Sequence, residues 1–152
     1  MDKTTGCNSN HILVGIGGTG GKILKAFKMR VFEEFPEEEK RSKLPVALLY
    51  IDSTEKDLMS KDGKPKDDFR VMGQDASFTR NEFFNIKAVD VESILDHIDN
   101  YPHVKGIVDN VKAVRSAIGS LGEAAGQKRR AGRLLFAANS IGYVNSLRNA
   151  YG

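Results

Sequence analysis

The chain has little with which to cross-link itself, ligate a metal or enter a membrane. It contains one cysteine, Cys7. A disulfide within the chain is therefore excluded, which suits a reducing cytoplasm. No basic motif surrounds Cys7, so it reads as an inert thiol rather than a nucleophile. There are three histidines, and none has a second ligand at metal spacing. His97 reads as a surface residue on a helix. No Ser/His/Asp or Cys/His constellation is present. No apolar run approaches the roughly 20 residues that span a bilayer, and Met1 to Thr5 lead into no signal-peptide core. A net charge of +3 is too small to argue for nucleic acid by itself. Repeats and low-complexity segments are absent.

What remains is an ordinary globular composition, 40% hydrophobic and 28% charged over 152 residues, enough for one domain with a core. Residues 1–10 are polar and are expected to be flexible. The organising stretch follows: Ile12 to Ile16 are apolar and run into Gly17, Gly18, Thr19, Gly20 and Gly21. An amphipathic stretch from Lys22 to Phe35 comes next, before Pro36. The order predicts strand, glycine loop, helix. Glycines let the backbone turn tightly and approach an anion, and the N–H groups at a helix start favour phosphate. Gly15-x-Gly17-x-x-Gly20 also fits the dinucleotide fingerprint. The bland alternative is a structural turn. Ile12 to Ile16, apolar on both faces, predict a buried central strand. The stripe of Ile23, Phe27, Val31 and Phe35, with Leu24 beside it, predicts the helix face that packs on the sheet.

Val46 to Ile51 predict a second buried strand, ending in Asp52, Ser53 and Thr54. A carboxylate at that position usually faces a ligand. Asp52 lies well beyond the ~20-residue spacing at which a dinucleotide ribose is held, and Asp is also a common turn or cap residue. Phe69 to Met72 predict a short third strand. Residues 73–88 carry no clear pattern. Asp90 predicts a cap for a helix with Val91, Ile94, Leu95 and Ile98 on one face. Ile107, Val111, Val114 and Ile118 suggest another. The final helix is expected to run through Leu134, Leu135, Ala138 and Ile141. It starts with Arg129, Arg130 and Arg133, against the helix dipole. That arrangement suits a nearby anion, or else a solvated cationic face. Spacing by four pairs Arg129 with Arg133 and sets Arg130 aside.

Three segments in this order resemble the nucleotide-binding half of the tubulin/FtsZ superfamily, bacterial tubulin-like proteins in particular. They are the loop from Gly15 to Gly21, the strand end Ile51-Asp-Ser-Thr-Glu-Lys-Asp-Leu58, and Gly126-Gln-Lys-Arg-Arg-Ala-Gly-Arg133. The first resembles the first phosphate loop. The second is similar to the Asn-Thr-Asp-x-x-x-Leu loop of FtsZ, with Asp52 in place of Asn and Thr54 in place of Asp. The third is similar to the γ-phosphate-sensing loop and the helix after it. The resemblance implies an α/β, Rossmann-like, mostly parallel sheet flanked by helices, with residues 11–152 forming a partial nucleotide-binding domain. It implies GTP or GDP with Mg²⁺, held by residues 17–21, by Asp52, Ser53 and Thr54, and by Gly126, Gln127 and Arg133. It also implies cytoplasmic filament subunits as partners, and hydrolysis only in a complete polymerising protein. The family's Gly/Thr-rich signature loop would follow Gly152, as would the strand on the other side of the first one, so Ile12 to Ile16 are expected to form an exposed apolar edge here and the chain to self-associate. Two other readings remain open from the residues: an NAD- or FAD-binding Rossmann domain with Asp52 on the ribose, and a scaffold domain without a working site.

Overall fold

Val46 to Ile51 form an apolar run with no charged residue, and such a run is at home only where both faces of a strand are covered. A computed structural model describes residues 11–56, 58, 66–87, 90–118 and 129–151 and places this run at the centre of a sheet. Strand β2 (Val46–Asp52) lies between β1 (His11–Ile16) and a short strand further along the chain, β5 (Phe83–Asn85). All pairings are parallel. Ile16 sits opposite Ile51, and Asp52 opposite Asn85. The carboxyl ends of the three strands therefore share one edge of the sheet, where ligands of open α/β sheets bind. The fold class is α/β, with a three-stranded parallel sheet flanked by helices.

The sheet has two differently covered faces, as the period-two alternation of strands requires. Leu48 and Tyr50 are buried with Leu24, Leu58 and Phe69 on the face that α1 (Gly17–Glu34) covers. Leu49 and Ile51 are buried on the other face. Their cover comes from α3 (Val91–Asp96), α4 (Pro102–Lys105), α5 (Val111–Ile118), α6 (Arg129–Ala138) and α7 (Ser140–Tyr151). A short α2 (Glu38–Arg41) occupies the charge run before β2.

Four sequence expectations need correction. First, β1 is not buried on both faces. Among the described residues it pairs with β2 alone, and Leu13, Val14 and Ile16 are exposed, as the edge expected for this length of chain. An apolar strand is buried by its neighbours, not by its composition. Second, the buried face of α1 is Gly21, Leu24 and Lys28, not the stripe of Ile23 and Phe27. The reason is a close approach. A Cβ on Gly15 would lie 2.6 Å from the Gly20 carbonyl oxygen, and one on Gly21 would lie 2.5 Å from the Tyr50 ring. The glycines press the helix onto the sheet and so fix its rotation. Ile23, two residues beyond Gly21 and about 200° around the helix, is left 65% exposed. Lys28 is buried as a consequence. Its Nζ donates to Glu82 Oε2 (2.5 Å) and to the Ser77 carbonyl (2.7 Å), which satisfies a charge that would otherwise be costly to bury.

Third, the stretch around Phe69 to Met72 is not a strand of the main sheet. Arg70–Val71 (β3) folds back on Gln74–Asp75 (β4) as a two-stranded hairpin. Met72 and Gly73 both have positive φ, 50° and 82°, the geometry of a type I′ hairpin turn. The third strand of the sheet is β5, in the stretch without a legible pattern. Fourth, the last helix is two helices. Asn139 is buried at the break, and its Nδ2 donates to the Leu135 carbonyl (2.8 Å) and the Ile86 carbonyl (2.6 Å). An Asn side chain that competes for backbone carbonyls in this way interrupts a helix. Ile141 consequently falls in α7 and is exposed.

The two intervening helices are shorter than expected: Ile98 lies in a 3-10 turn (Ile98–Asn100) after α3, and Ile107 in a turn before α5. Asp90 caps α3 by accepting from the Ser93 N–H. Val91, Ile94 and Leu95 are buried. His97 is an exposed residue whose Nδ1 lies 3.1 Å from the Ser93 carbonyl. Cys7 lies outside the described residues.

Candidate functional site

The β1–α1 junction is built by a division of labour among its glycines. Ile16 is still extended, with φ −114° and ψ 126°. Gly17 then takes φ 67°, and nothing lies within 4 Å of where its Cβ would be. Gly17 is thus required by its backbone conformation, not by space. Gly15, Gly20 and Gly21 are required by packing, since a side chain on any of them would collide with backbone or with the Tyr50 ring. In the fingerprint, likewise, the last glycine allows close helix–strand packing, but here the turn is made by the second glycine, Gly17, and the first, Gly15, serves packing.

The helix starts immediately at Gly17, so the first backbone N–H groups, at Gly17, Gly18 and Thr19, have no carbonyl one turn back to bond. The N-cap residue is Ile16, which gives no side-chain cap, and the first turn has no acidic residue. Thr19 is exposed. The junction therefore presents several amide donors with no protein acceptor of the usual kind.

Asp52 ends β2 in the strand position next to Gly17, one step past the register pair of Ile16 with Ile51. Its carboxylate is buried and engaged. Oδ2 accepts from the Tyr50 hydroxyl (2.7 Å), and Oδ1 accepts from the Ser53 N–H (2.6 Å). The Tyr50 ring is the one that Gly21 touches. One aromatic side chain thus spans from α1 to the carboxylate and fixes the two loops relative to each other. Ser53 is buried, and Thr54 Oγ1 accepts from the Lys56 N–H at 3.2 Å. Asn85, beside Asp52 in the sheet, donates to Glu55 Oε1 at 3.4 Å. Tyr50 was readable in advance: it lies two residues before Asp52 and so on the same strand face. Asn85 was not, because its strand is only three residues long.

The structure brings residues 17–21 together with Asp52, which Ser53 and Thr54 follow in the chain. No described contact joins Arg133 to them. Arg133 is exposed on α6 and lines a small cleft with Ile107, Asp109, Asn110, Val114 and Arg130. The Arg129 side chain, the expected partner of Arg133, lies outside the described ones. Residues three apart are also helix neighbours, and the cleft joins Arg133 to Arg130. Gly126 and Gln127 lie outside the described residues. Among the described residues, no group of three or more His, Cys, Asp or Glu is arranged to hold a metal ion, and no helix is long and apolar enough to cross a membrane.

A tubulin-like family model matches residues 12–152. The chain belongs to the tubulin-like family. No curated protein and no solved structure matches it. The tubulin-like match begins within β1 and takes in every later element of the described fold, including the glycine junction and the Asp52 strand end.

Proposed function

We propose that this tubulin-like domain binds a guanine nucleotide by its phosphates at the β1–α1 junction and acts as a subunit of a self-associating assembly. The observation that carries the reading is the junction itself. Gly17, Gly18 and Thr19 offer uncapped amides at a helix start, where the dipole adds to the attraction for an anion. They do so at the carboxyl edge of a parallel sheet, beside Asp52. Family membership favours guanine nucleotides over nicotinamide ones. So does Asp52, whose two oxygens already serve Tyr50 and Ser53 rather than standing free for a ribose. Mg²⁺ in such sites takes most of its ligands from phosphate and water, with one or two protein groups. Thr19, exposed at the junction, is the side chain placed to help. Self-association is supported by β1, a strand edge with exposed Leu13, Val14 and Ile16, since such edges recruit further strands.

A thermal-shift panel tests the nucleotide reading. GTP or GDP at about 100 times its Kd should raise Tm by roughly 8 °C, NAD(H) should not, and Gly18→Val should remove the effect while the protein stays folded. Gly20→Val is unsuitable as a control, because a side chain there meets the Gly15 backbone at 2.7 Å. Equal protection of parent and Gly18→Val, or protection by NAD(H) alone, would overturn the assignment.

A further inference from the structure

Arg130 and Arg133 share a cleft whose described lining includes no junction residue and has the chemistry of a site. Each lies near the start of α6, whose first turn holds no acidic residue. Two guanidiniums three residues apart repel each other and oppose the dipole at that end. Neither has a hydrogen-bond or ion-pair partner among the described residues. The opposite wall of the cleft is formed by residues 107–110 and Val114. Asn110 caps α5 there, its Oδ1 accepting from the Ala113 N–H at 3.0 Å, which leaves its Nδ2 as a donor on the same wall. Among the described residues, the acidic lining residue is Asp109, which is bonded to neither arginine. The described lining thus carries two cations, one anion and an amide donor. The cavity volume is about 40 Å³. That suits a single small oxyanion and is far below the 300 Å³ or more of sites that enclose whole ligands.

We propose that this cleft is a second anion site, independent of the glycine junction, which takes a free tetrahedral oxyanion such as inorganic phosphate between Arg130, Arg133 and the Asn110 amide. Arginine suits the role because its planar fork of donors matches phosphate oxygens and it stays charged at any physiological pH. Asp109 weakens the site without closing it, since one carboxylate offsets only one of two guanidiniums.

The test is a titration with sodium phosphate at constant ionic strength, read on the arginine Nε–H and Asn110 side-chain amide signals by NMR. Saturable shifts should appear in the parent. Arg130→Gln and Arg133→Gln should each weaken binding at least about tenfold, the scale of a lost charge-assisted bond. Asp109→Asn should tighten it about threefold, a gain that misfolding would not mimic. Gly18→Val should leave it unchanged. Absence of saturable shifts in the parent would overturn the proposal, as would arginine variants that bind like the parent. Loss of phosphate binding in Gly18→Val, or displacement of phosphate from these signals by GTP, would show instead that the anion belongs to a nucleotide site.

Discussion

β1 and β2 are written in nearly the same letters, short runs of Ile, Leu and Val, yet they differ completely in burial. Leu49 and Ile51 are 0% exposed. Ile16, paired directly with Ile51, is 65% exposed. Val14 and Ile16 share a sheet face with Leu49 and Ile51, but the helices that seal the second pair do not extend over the first. The face of β1 toward α1 is held differently again, through the backbone contact of Gly15 with Gly20. β2 is held by side-chain packing on both faces, and β1 by one line of backbone pairing and a glycine contact. The core of this domain is therefore centred on β2, while the proposed binding surface is centred on β1.

Substitutions on the two strands should separate these roles. The largest effect is expected from Ile51→Ala. It removes a fully buried side chain from the cluster with Leu49, Val114 and Leu134 and should cost about 3 kcal/mol of unfolding free energy in denaturant melts. A cost below about 1 kcal/mol would mean that β2 is not the core strand. Tyr50→Phe should be intermediate. It keeps the ring against Gly21 but leaves Asp52 Oδ2 without the hydroxyl. A loss of about 1–2 kcal/mol is expected, with weaker nucleotide protection because the two loops are no longer tied. The smallest effect on stability should come from Ile16→Lys, within about 0.5 kcal/mol as for other exposed positions. The same variant should lower the light-scattering mass of concentrated samples if β1 is the associating edge. An unchanged mass would move self-association away from β1.

The parts of the fold that were legible beforehand are those fixed by local chemistry. The apolar run into glycines marked β1 and α1, the Val46 to Ile51 run marked β2, and Asp90 marked the start of α3. What was not legible depends on contacts distant in sequence. The rotation of α1 follows from Gly20 and Gly21 meeting Gly15 and Tyr50, so an apolar stripe at helical spacing pointed to the wrong face. Phe83–Asn85 becomes a strand only because β2 offers it an edge. Asn139 breaks the last helix because the Ile86 carbonyl is there to be bonded. For the site, residues 17–21 and Asp52 were legible as neighbours, because both end parallel strands. The position of Arg133 depends on how α6 packs against α3, α4, α5 and α7, which no local pattern shows.

The central claim, that nucleotide phosphate is held by the backbone at the β1–α1 junction, is tested most directly by following backbone amide signals during a GDP titration. The account predicts that the largest shifts fall on the Gly17, Gly18 and Thr19 amides, with smaller ones at Ser53 and Thr54, and that NAD produces none. Saturable binding that leaves those three amides unmoved, or no binding of GDP by a folded domain, would contradict it.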